Sequence, residues 1–227
     1  MKKYRYPLLV FLLILFNIGV YLKNQDCYLL EEYAVSIHNQ EKKMEIRDDS
    51  KYKIRIYYPN TEYGLLNETI EDKMKQYVVD FKNNLDDSFQ SSDSFYTLDI
   101  TYDTYHYKDY FSYVFYIFFD VGGAHPSSLI WTICYDTKKD EILTLDNISS
   151  TYPNILQFFS QQVQNQLKTN ERISDMGWML EGTKPIPENY QNFVFSKNGI
   201  FVFFPPYQIA PYSSGTFQLL VPYDKIF

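Results

Sequence analysis

Histidine, cysteine and glycine are scarce in this chain of 227 residues, which contains 3, 2 and 8 of them respectively. None of His38, His106 and His125 has a second His or Cys at metal-ligand spacing, and no H-x-x-x-H, H-E-x-x-H or C-x-x-C sequence occurs. We therefore expect no metal site and no cofactor. Cys27 and Cys134 are too few for a disulfide framework, and we expect both to be unpaired.

Acidic side chains are absent from the N-terminus up to Asp26. Two lysines and an arginine precede an uncharged run of 16 residues from Pro7 to Leu22, and Lys23 closes the run. The run is shorter than the roughly 20 residues that cross a bilayer upright, but tyrosines flank it where an aromatic belt is expected. We predict a retained signal-anchor over residues 1–23, and the positive charge, which lies mainly before the run, sets its orientation. It would be a single-pass cell-membrane segment with a cytoplasmic N-terminus and an extracytoplasmic C-terminal domain.

A cleaved secretory signal is the alternative interpretation of this segment, and the chain would then be secreted. Such a signal ends in a small-residue site of the A-x-A type, whereas residues 21–27 read Tyr-Leu-Lys-Asn-Gln-Asp-Cys. Without the four basic residues of the anchor, 17 basic residues face 28 acidic ones, which is a net charge of −11. So acidic a domain repels nucleic acid and attracts cationic proteins, although solubility alone also explains the charge.

Tyrosine and phenylalanine are abundant, with 23 and 18 residues. Both fit pleated, half-buried strands, so their abundance favours a sheet-rich domain, and an aromatic binding face is compatible with the same composition. We interpret residues 24–50 as a juxtamembrane stalk or as first irregular strands. Residues 51–227 have the length of one ordinary domain, which we predict to be extracytoplasmic.

Hydrophobic periodicity predicts an α+β fold, an antiparallel β-sheet with two amphipathic helices. The first helix follows three- and four-residue spacing from Leu66 to Leu85, and the second begins around Ser150 or Thr151 with Pro153 at an early helical position. Strands are predicted over Lys51–Tyr58, Phe95–Phe119 with a turn near residues 107–109, Ser128–Asp136, Ile142–Leu145, Phe193–Ser196, Ile200–Phe204 and Thr216–Pro222, and a loop over Thr169–Asn189.

Two short motifs mark the second half of the chain. The first is Gly122-Gly123-Ala124-His125-Pro126, which follows an aromatic strand. The second, residues 204–212, reads Phe-Pro-Pro-Tyr-Gln-Ile-Ala-Pro-Tyr, and a last strand ending at Val221-Pro222-Tyr223 follows it. Together they resemble a bacterial extracytoplasmic domain found in the ectodomain of the lysozyme-sensing anti-sigma factor RsiV and in the non-catalytic N-terminal part of the peptidoglycan deacetylase PdaC. The resemblance extends from about Tyr52 to Ile226.

The resemblance implies a non-enzymatic, membrane-anchored binding domain for a cell-envelope ligand or a lysozyme-like cationic protein. An accessory peptidoglycan-binding module is the alternative. Only six residues precede the apolar run, too few to hold a sigma factor, so anti-sigma signalling is not expected. A wall hydrolase that pairs His125 with an aspartate is a more distant hypothesis, because no G-x-S-x-G elbow accompanies Ser127 and Ser128.

The candidate ligand-binding residues come from these two motifs, and no catalytic residue is predicted. Consecutive prolines stiffen the second loop, so its tyrosines would lose little entropy on binding and suit protein contacts or stacking on sugar rings. The alternative is a structural role, in which the glycines permit a tight bend and the tyrosine hydroxyls bond to loop backbone. The residues are His125, Tyr207, Tyr212, Gly123 and Pro206.

Overall fold

The computed structural model describes residues 40–48, 51–85, 96–122 and 125–225, and the predicted anchor and Cys27 lie outside these ranges. None of the helices in the described ranges is long and apolar enough to cross a membrane. The chain divides into two units, and the second, Glu41–Phe227, contains all the elements that follow except the first residue of β1. The strands are β1 (Gln40–Asp48), β2 (Tyr52–Asn60), β3 (Tyr96–Tyr107), β4 (Tyr110–Asp120), β5 (Ser127–Asp136), β6 (Glu141–Leu143), β7 (Phe193–Ser196), β8 (Gly199–Phe204) and β9 (Phe217–Pro222).

The strands form two sheets. β1 to β6 make a six-stranded sheet in chain order, and β7 to β9 make a separate antiparallel sheet. Within the larger sheet, β2 and β3 pair parallel, whereas β3, β4, β5 and β6 pair antiparallel. A parallel pair needs a crossover connection, which a helix supplies here. The prediction of an antiparallel sheet is therefore wrong at the β2–β3 pair, and the larger sheet is mixed.

The α+β class is confirmed, but the prediction of two helices is wrong, since the described residues form four. The first predicted helix is confirmed, and its buried residues follow the expected spacing. The second is divided in two, because a capping box between Thr144 and Asn147 starts an extra short helix and Pro153 lies between the two pieces. The helices are α1 (Gly64–Asn83), α2 (Leu145–Thr151), α3 (Ile155–Leu167) and α4 (Met176–Gly182), with 3-10 turns over Pro187–Tyr190, Tyr212–Ser214 and Tyr223–Lys225.

Helix α4 lies in the segment Thr169–Asn189, where the sequence predicts a loop. It has only seven residues, and two of them, Gly177 and Gly182, lower its intrinsic helix propensity. The Asp175 carboxylate caps it by accepting a hydrogen bond from the Trp178 backbone N–H at 3.0 Å, and Met179 is fully buried. Tertiary burial and the cap, rather than propensity, therefore form this helix.

Each face of the six-stranded sheet has its own hydrophobic core. The helix face is the one on which α1 packs, with residues such as Ile70 and Met74 against Ile54, Ile100 and Phe115. The second face is the opposite one, and the three-stranded sheet and helices α2 to α4 enclose its core. Burying apolar side chains on both faces is what allows strands this rich in aromatic residues to lie at the centre of the domain.

Hydrogen bonds between the two sheets set the position of β7 on the second face. The hydroxyl oxygens of Thr132 and Ser112 accept hydrogen bonds from the backbone N–H groups of Phe193 at 3.0 Å and Phe195 at 3.2 Å. Cys134 is a free, buried cysteine whose thiol donates to the Phe193 carbonyl at 3.3 Å, and burial raises its pKa to about 12. β7 therefore crosses β5 and β4 on the side of the β3–β4 turn and leaves the opposite end, where β5 starts, to other elements.

Candidate functional site

Three of the five candidate residues meet on the surface. His125 lies just before β5, while Tyr207 and Tyr212 lie in the loop between β8 and β9. The His125 ring stacks on the Tyr212 ring with centroids 4.6 Å apart, and the Tyr207 ring lies 5.6 Å from that of Tyr212. We call His125, Tyr207 and Tyr212 the aromatic cluster. It joins two motifs that are 82 residues apart in sequence.

Hydrogen bonds hold the aromatic cluster together. The His125 Nδ1 atom lies 2.8 Å from the Pro126 carbonyl oxygen, which can only accept, so Nδ1 carries the hydrogen. Nε2 then accepts from the Tyr207 hydroxyl at 3.3 Å. The Tyr212 hydroxyl donates to the same Pro126 carbonyl at 2.8 Å. This network assigns the tautomer of His125 and ties all three rings to one point of the backbone.

The cluster is exposed, and its most exposed ring is held in an unusual backbone conformation. Tyr207 is 53% exposed and has a φ angle of +71°, which is disfavoured for a bulky side chain. The Trp178 indole N–H donates to the Tyr207 carbonyl oxygen at 3.1 Å. Such a conformation persists only where the surroundings enforce it, so the position of the Tyr207 ring is imposed by the fold.

Helix α4 provides the rest of this support. The Gln208 side-chain amide donates to the carbonyl oxygens of Gly182 at 3.1 Å and Asn189 at 2.9 Å. A Cβ atom on Gly182 would lie 2.0 Å from the Gln208 carbonyl oxygen, so only glycine permits this approach. Sequence reasoning missed Trp178, Gly182 and Gln208 as supporting residues. The only signals were a glycine and a tryptophan in a segment predicted to be a loop.

The remaining candidates contribute less. Pro206 is half-buried in the same loop, next to Tyr207. Gly123 lies outside the described residues, while its neighbour Gly122 has a φ angle of +86°, in the region that favours glycine. The Asp120 carboxylate accepts the Gly122 N–H at 3.1 Å, which closes the turn after β4. The first motif therefore includes a turn as well as a member of the aromatic cluster.

Among the described residues, neither His125 nor His106 makes a hydrogen bond to a carboxylate. The described hydrogen bonds of His125 go to a carbonyl and a phenol rather than to a carboxylate. Asp103 accepts the Tyr116 hydroxyl at 2.9 Å, and His106 stacks on Phe111 with centroids 4.6 Å apart. Within the described ranges, no group of three or more His, Cys, Asp or Glu residues could hold a metal ion. The chemistry available to the aromatic cluster is stacking and hydrogen bonding.

The segment that contains the smaller sheet and the loop of the aromatic cluster matches a known domain family. Residues 143–224 match the family model described as protein of unknown function DUF3298. The match begins in β6, ends in the last 3-10 turn and includes both tyrosines of the cluster. Residues 143–224 therefore correspond to a DUF3298 domain, and the resemblance predicted from the two motifs is confirmed.

Curated relatives extend the similarity beyond this segment. The peptidoglycan-N-acetylmuramic acid deacetylase PdaC of Bacillus subtilis (strain 168) is 26% identical over 172 residues, which are 73% of this chain and 36% of that protein. The immunogenic protein MPT64 of Mycobacterium tuberculosis is 27% identical over 112 residues, which are 48% of this chain and 47% of that protein. The chain thus spans less than half the length of these relatives.

Two solved structures share the fold. A DUF3298 family protein from Pseudomonas aeruginosa PAO1 superposes with a TM-score of 0.57 at 12% identity, covering 82% of this chain and 92% of that one. A DUF3298 family member from Bacteroides fragilis NCTC 9343 superposes with a TM-score of 0.53 at 18% identity, covering 82% and 91%. At these identities the likeness establishes the fold alone.

Proposed function

We propose that this chain is a non-enzymatic binding domain of the bacterial cell envelope that captures a cationic, lysozyme-like protein through the aromatic cluster. The predicted signal-anchor would hold it at the outer surface of the cell membrane. The observation that carries the proposal is the exposed meeting of His125, Tyr207 and Tyr212, with Tyr207 fixed at a φ angle of +71°. A ring held so firmly loses little freedom when a partner covers it.

Aromatic side chains of this kind are the usual anchors of protein interfaces. Tyrosine is enriched among the residues that dominate binding energy, and such residues lie in well-packed patches. Next to the cluster, Trp178 is half-buried and reaches the backbone of Tyr207, while Met176 and Leu180 on the same helix are 45% and 43% exposed. The cluster thus lies at the edge of an apolar surface of helix α4, which favours a protein partner.

Charge favours a cationic partner. Outside the predicted anchor the chain has a net charge of −11, and a surface of this sign accelerates encounter with a basic protein. Three exposed carboxylates lie at the N-cap of α4, on α4 and in the segment after it, namely Asp175, Glu181 and Glu188. Lys184 in the same segment is paired with Glu181, so the balance there is acidic. The resemblance to a lysozyme-sensing ectodomain points to the same class of partner.

The test is binding of the exported part, residues 23–227, to immobilised hen-type lysozyme. We expect binding that weakens as salt is raised, and a loss of about tenfold or more for Tyr207→Ala, because hot-spot truncations commonly reach this size. Tyr152→Ala is the matched control, since Tyr152 is 40% exposed and lies on α2's C-terminal side. Equal effects of the two substitutions, or no salt-sensitive binding, would exclude the proposal.

A peptidoglycan-binding module is the second candidate, and the exposure of the Tyr207 ring favours it. An aromatic ring that is 53% exposed can stack on a sugar, and stacking is screened by salt far less than charge is. The PdaC relative is named for an activity on a peptidoglycan sugar, which suits an accessory role in wall binding. Retention on insoluble peptidoglycan that survives high salt, without lysozyme binding, would select this candidate.

A further inference from the structure

A cavity lies at the end of strands β3 to β5 that is opposite to the aromatic cluster. The aromatic cluster is next to the start of β5, whereas this cavity borders the β3–β4 turn, which pairs with the end of β5. Each of these strands has ten or more residues, so roughly 30 Å separates their two ends. The cavity has a volume of about 430 Å³, within the usual range for small-molecule sites.

The floor of the cavity is apolar. Ile148, Ile155, Phe195 and Ile200 line it, and each of these side chains is buried in the core of the second face. Because they come from α2, α3 and two strands of the smaller sheet, the floor is part of the rigid core. An apolar group placed on it would leave water at little conformational cost to the protein.

Stacked rings form the walls. Tyr107 and Tyr223 stack with centroids 4.6 Å apart, and Tyr110 stacks on Phe195 at 4.8 Å. Tyr107 and Tyr110 flank the two-residue β3–β4 turn, whereas Tyr223 follows β9, so the walls combine distant parts of the chain. Paired rings have few alternative rotamers, which keeps the cavity open in one shape.

Lysines mark the rim, in a chain that is otherwise acidic. Lys108 lies with its Nζ atom 4.9 Å from the centre of the Tyr107 ring, and no carboxylate pairs with it among the described residues. Lys139 also lines the cavity. Its ion pair with Glu141, at 3.4 Å, is exposed and contributes little energy, so an anionic ligand could replace Glu141 at little cost. The carboxylate of the rim, Asp109, is already paired with Lys138 at 2.8 Å. The rim therefore offers two ammonium groups to an anion.

We propose that this lysine-rimmed cavity binds an apolar organic anion, in which a carboxylate or phosphate group is joined to a hydrocarbon chain. The hydrocarbon lies on the floor of isoleucines, and the head group lies between Lys108 and Lys139. The same chemistry is present in free fatty acids and in lipid phosphates. This site is separate from the aromatic cluster, and neither proposal depends on the other.

The test uses the full chain in phosphatidylcholine nanodiscs and a decanoate probe with a diazirine at the end of its hydrocarbon chain. After irradiation, mass spectrometry of peptides locates the label. We expect it on peptides that contain Ile148 and Ile155, competed by decanoate or decyl phosphate but not by decanol. The better competitor of the two anions distinguishes the carboxylate from the phosphate source. Labelling found only elsewhere, or equal competition by decanol, would overturn the proposal.

Two variants and a control separate the head group from the cavity. The double variant Lys108→Glu and Lys139→Glu should lower the labelling about tenfold or more, because both rim charges are reversed. Leu143→Trp, on the cavity wall, should lower it by occupying the space. Lys168→Glu, at the end of α3, should leave it unchanged. Circular dichroism checks that each variant is folded, and unchanged labelling of the double lysine variant would refute the assigned role of the rim.

Discussion

The two faces of the six-stranded sheet are built in different ways. One helix of 20 residues covers the helix face. The core there is formed by this helix and by consecutive strands of the sheet, from β2 through β5. The second face is covered by a small sheet and three short helices, which bring residues from the last third of the chain onto β4 and β5. One long helix thus covers the first face, whereas several short elements cover the second, with β7 nearer to the β3–β4 turn than to the start of β5.

This difference locates the candidate sites. The aromatic cluster and the lysine-rimmed cavity lie at opposite ends of the second face, the first on loops and the second between short helices and the ends of strands. Phe118, which shares that face, remains 39% exposed. A layer assembled from short elements leaves openings at its edges, and binding residues are commonly carried by loops on such a scaffold.

The largest expected effect comes from removing a core side chain on each face. Phe159→Ala on the second face should lower the free energy of unfolding by about 3–5 kcal/mol, and Ile70→Ala on the helix face by about 2–5 kcal/mol, since both are fully buried. Because the faces share one sheet, urea denaturation should show a single transition by circular dichroism and by tyrosine fluorescence. A second transition that Phe159→Ala leaves in place would mean that the faces unfold separately.

The next effect tests how α4 supports the second face. Gly182→Ala should lower the free energy of unfolding by about 2 kcal/mol or more and weaken partner binding, because the new Cβ must displace the backbone of the Tyr207 loop. Gly177→Ala in the same helix is the control, since the nearest atom to its Cβ is a side-chain oxygen of Asp175 at 3.2 Å. If both variants melt alike and bind alike, α4 does not support the loop.

Alkaline pH should weaken the second face through Cys134. Burial raises the pKa of this thiol from 9.0 to about 12, so above pH 9 the unfolded chain loses a proton that the folded chain keeps. The contribution of this group to the free energy of unfolding is constant below pH 9 and falls between pH 9 and 12, by roughly 1 kcal/mol for each pH unit. Urea titrations at several pH values should therefore give a smaller decline for Cys134→Ala, and identical declines would contradict the assignment.

The smallest expected losses of stability come from removing the N-terminal caps of two helices. Thr144→Ala removes the capping box of α2, and Asp175→Ala removes the cap of α4, each at a cost of about 1 kcal/mol. Only Asp175→Ala should also weaken partner binding. The Asp175 carboxylate holds the backbone of Trp178, and the indole of Trp178 donates a hydrogen bond to the carbonyl oxygen of Tyr207. Thermal melts and the lysozyme binding assay distinguish the two, and equal binding by both variants would argue that the cap and the cluster are independent.

Local patterns in the sequence were sufficient for most of the elements. The alternation and aromatic content of β3, β4 and β5 predicted their positions within a few residues, as did the spacing that predicted α1. Helix α4 was not predicted, because seven residues that include two glycines show no helical periodicity. The parallel β2–β3 pair escaped for another reason, since the direction of pairing depends on how α1 crosses the sheet and not on either strand.

The sequence could nominate candidate residues for the site, but it could not predict their geometry. The resemblance and the stiff proline loop selected His125, Tyr207 and Tyr212, because such residues and spacings are visible along the chain. Their stacking, the shared carbonyl of Pro126 and the support by Gly182 depend on segments far apart in sequence. The lysine-rimmed cavity left no local signal, since its residues are scattered along the chain from 107 to 223.

By itself, the sequence determined the fold class, the extents of the long strands and α1, the acidic charge and the identity of the candidate binding residues. These properties depend on side-chain periodicity and composition, which act within a few residues of one another. Only the tertiary structure decided the mixed sheet, the position of β7 on the second face and the meeting of the aromatic cluster. Those features depend on which distant side chains fill the same space, and that is settled by packing over the whole domain.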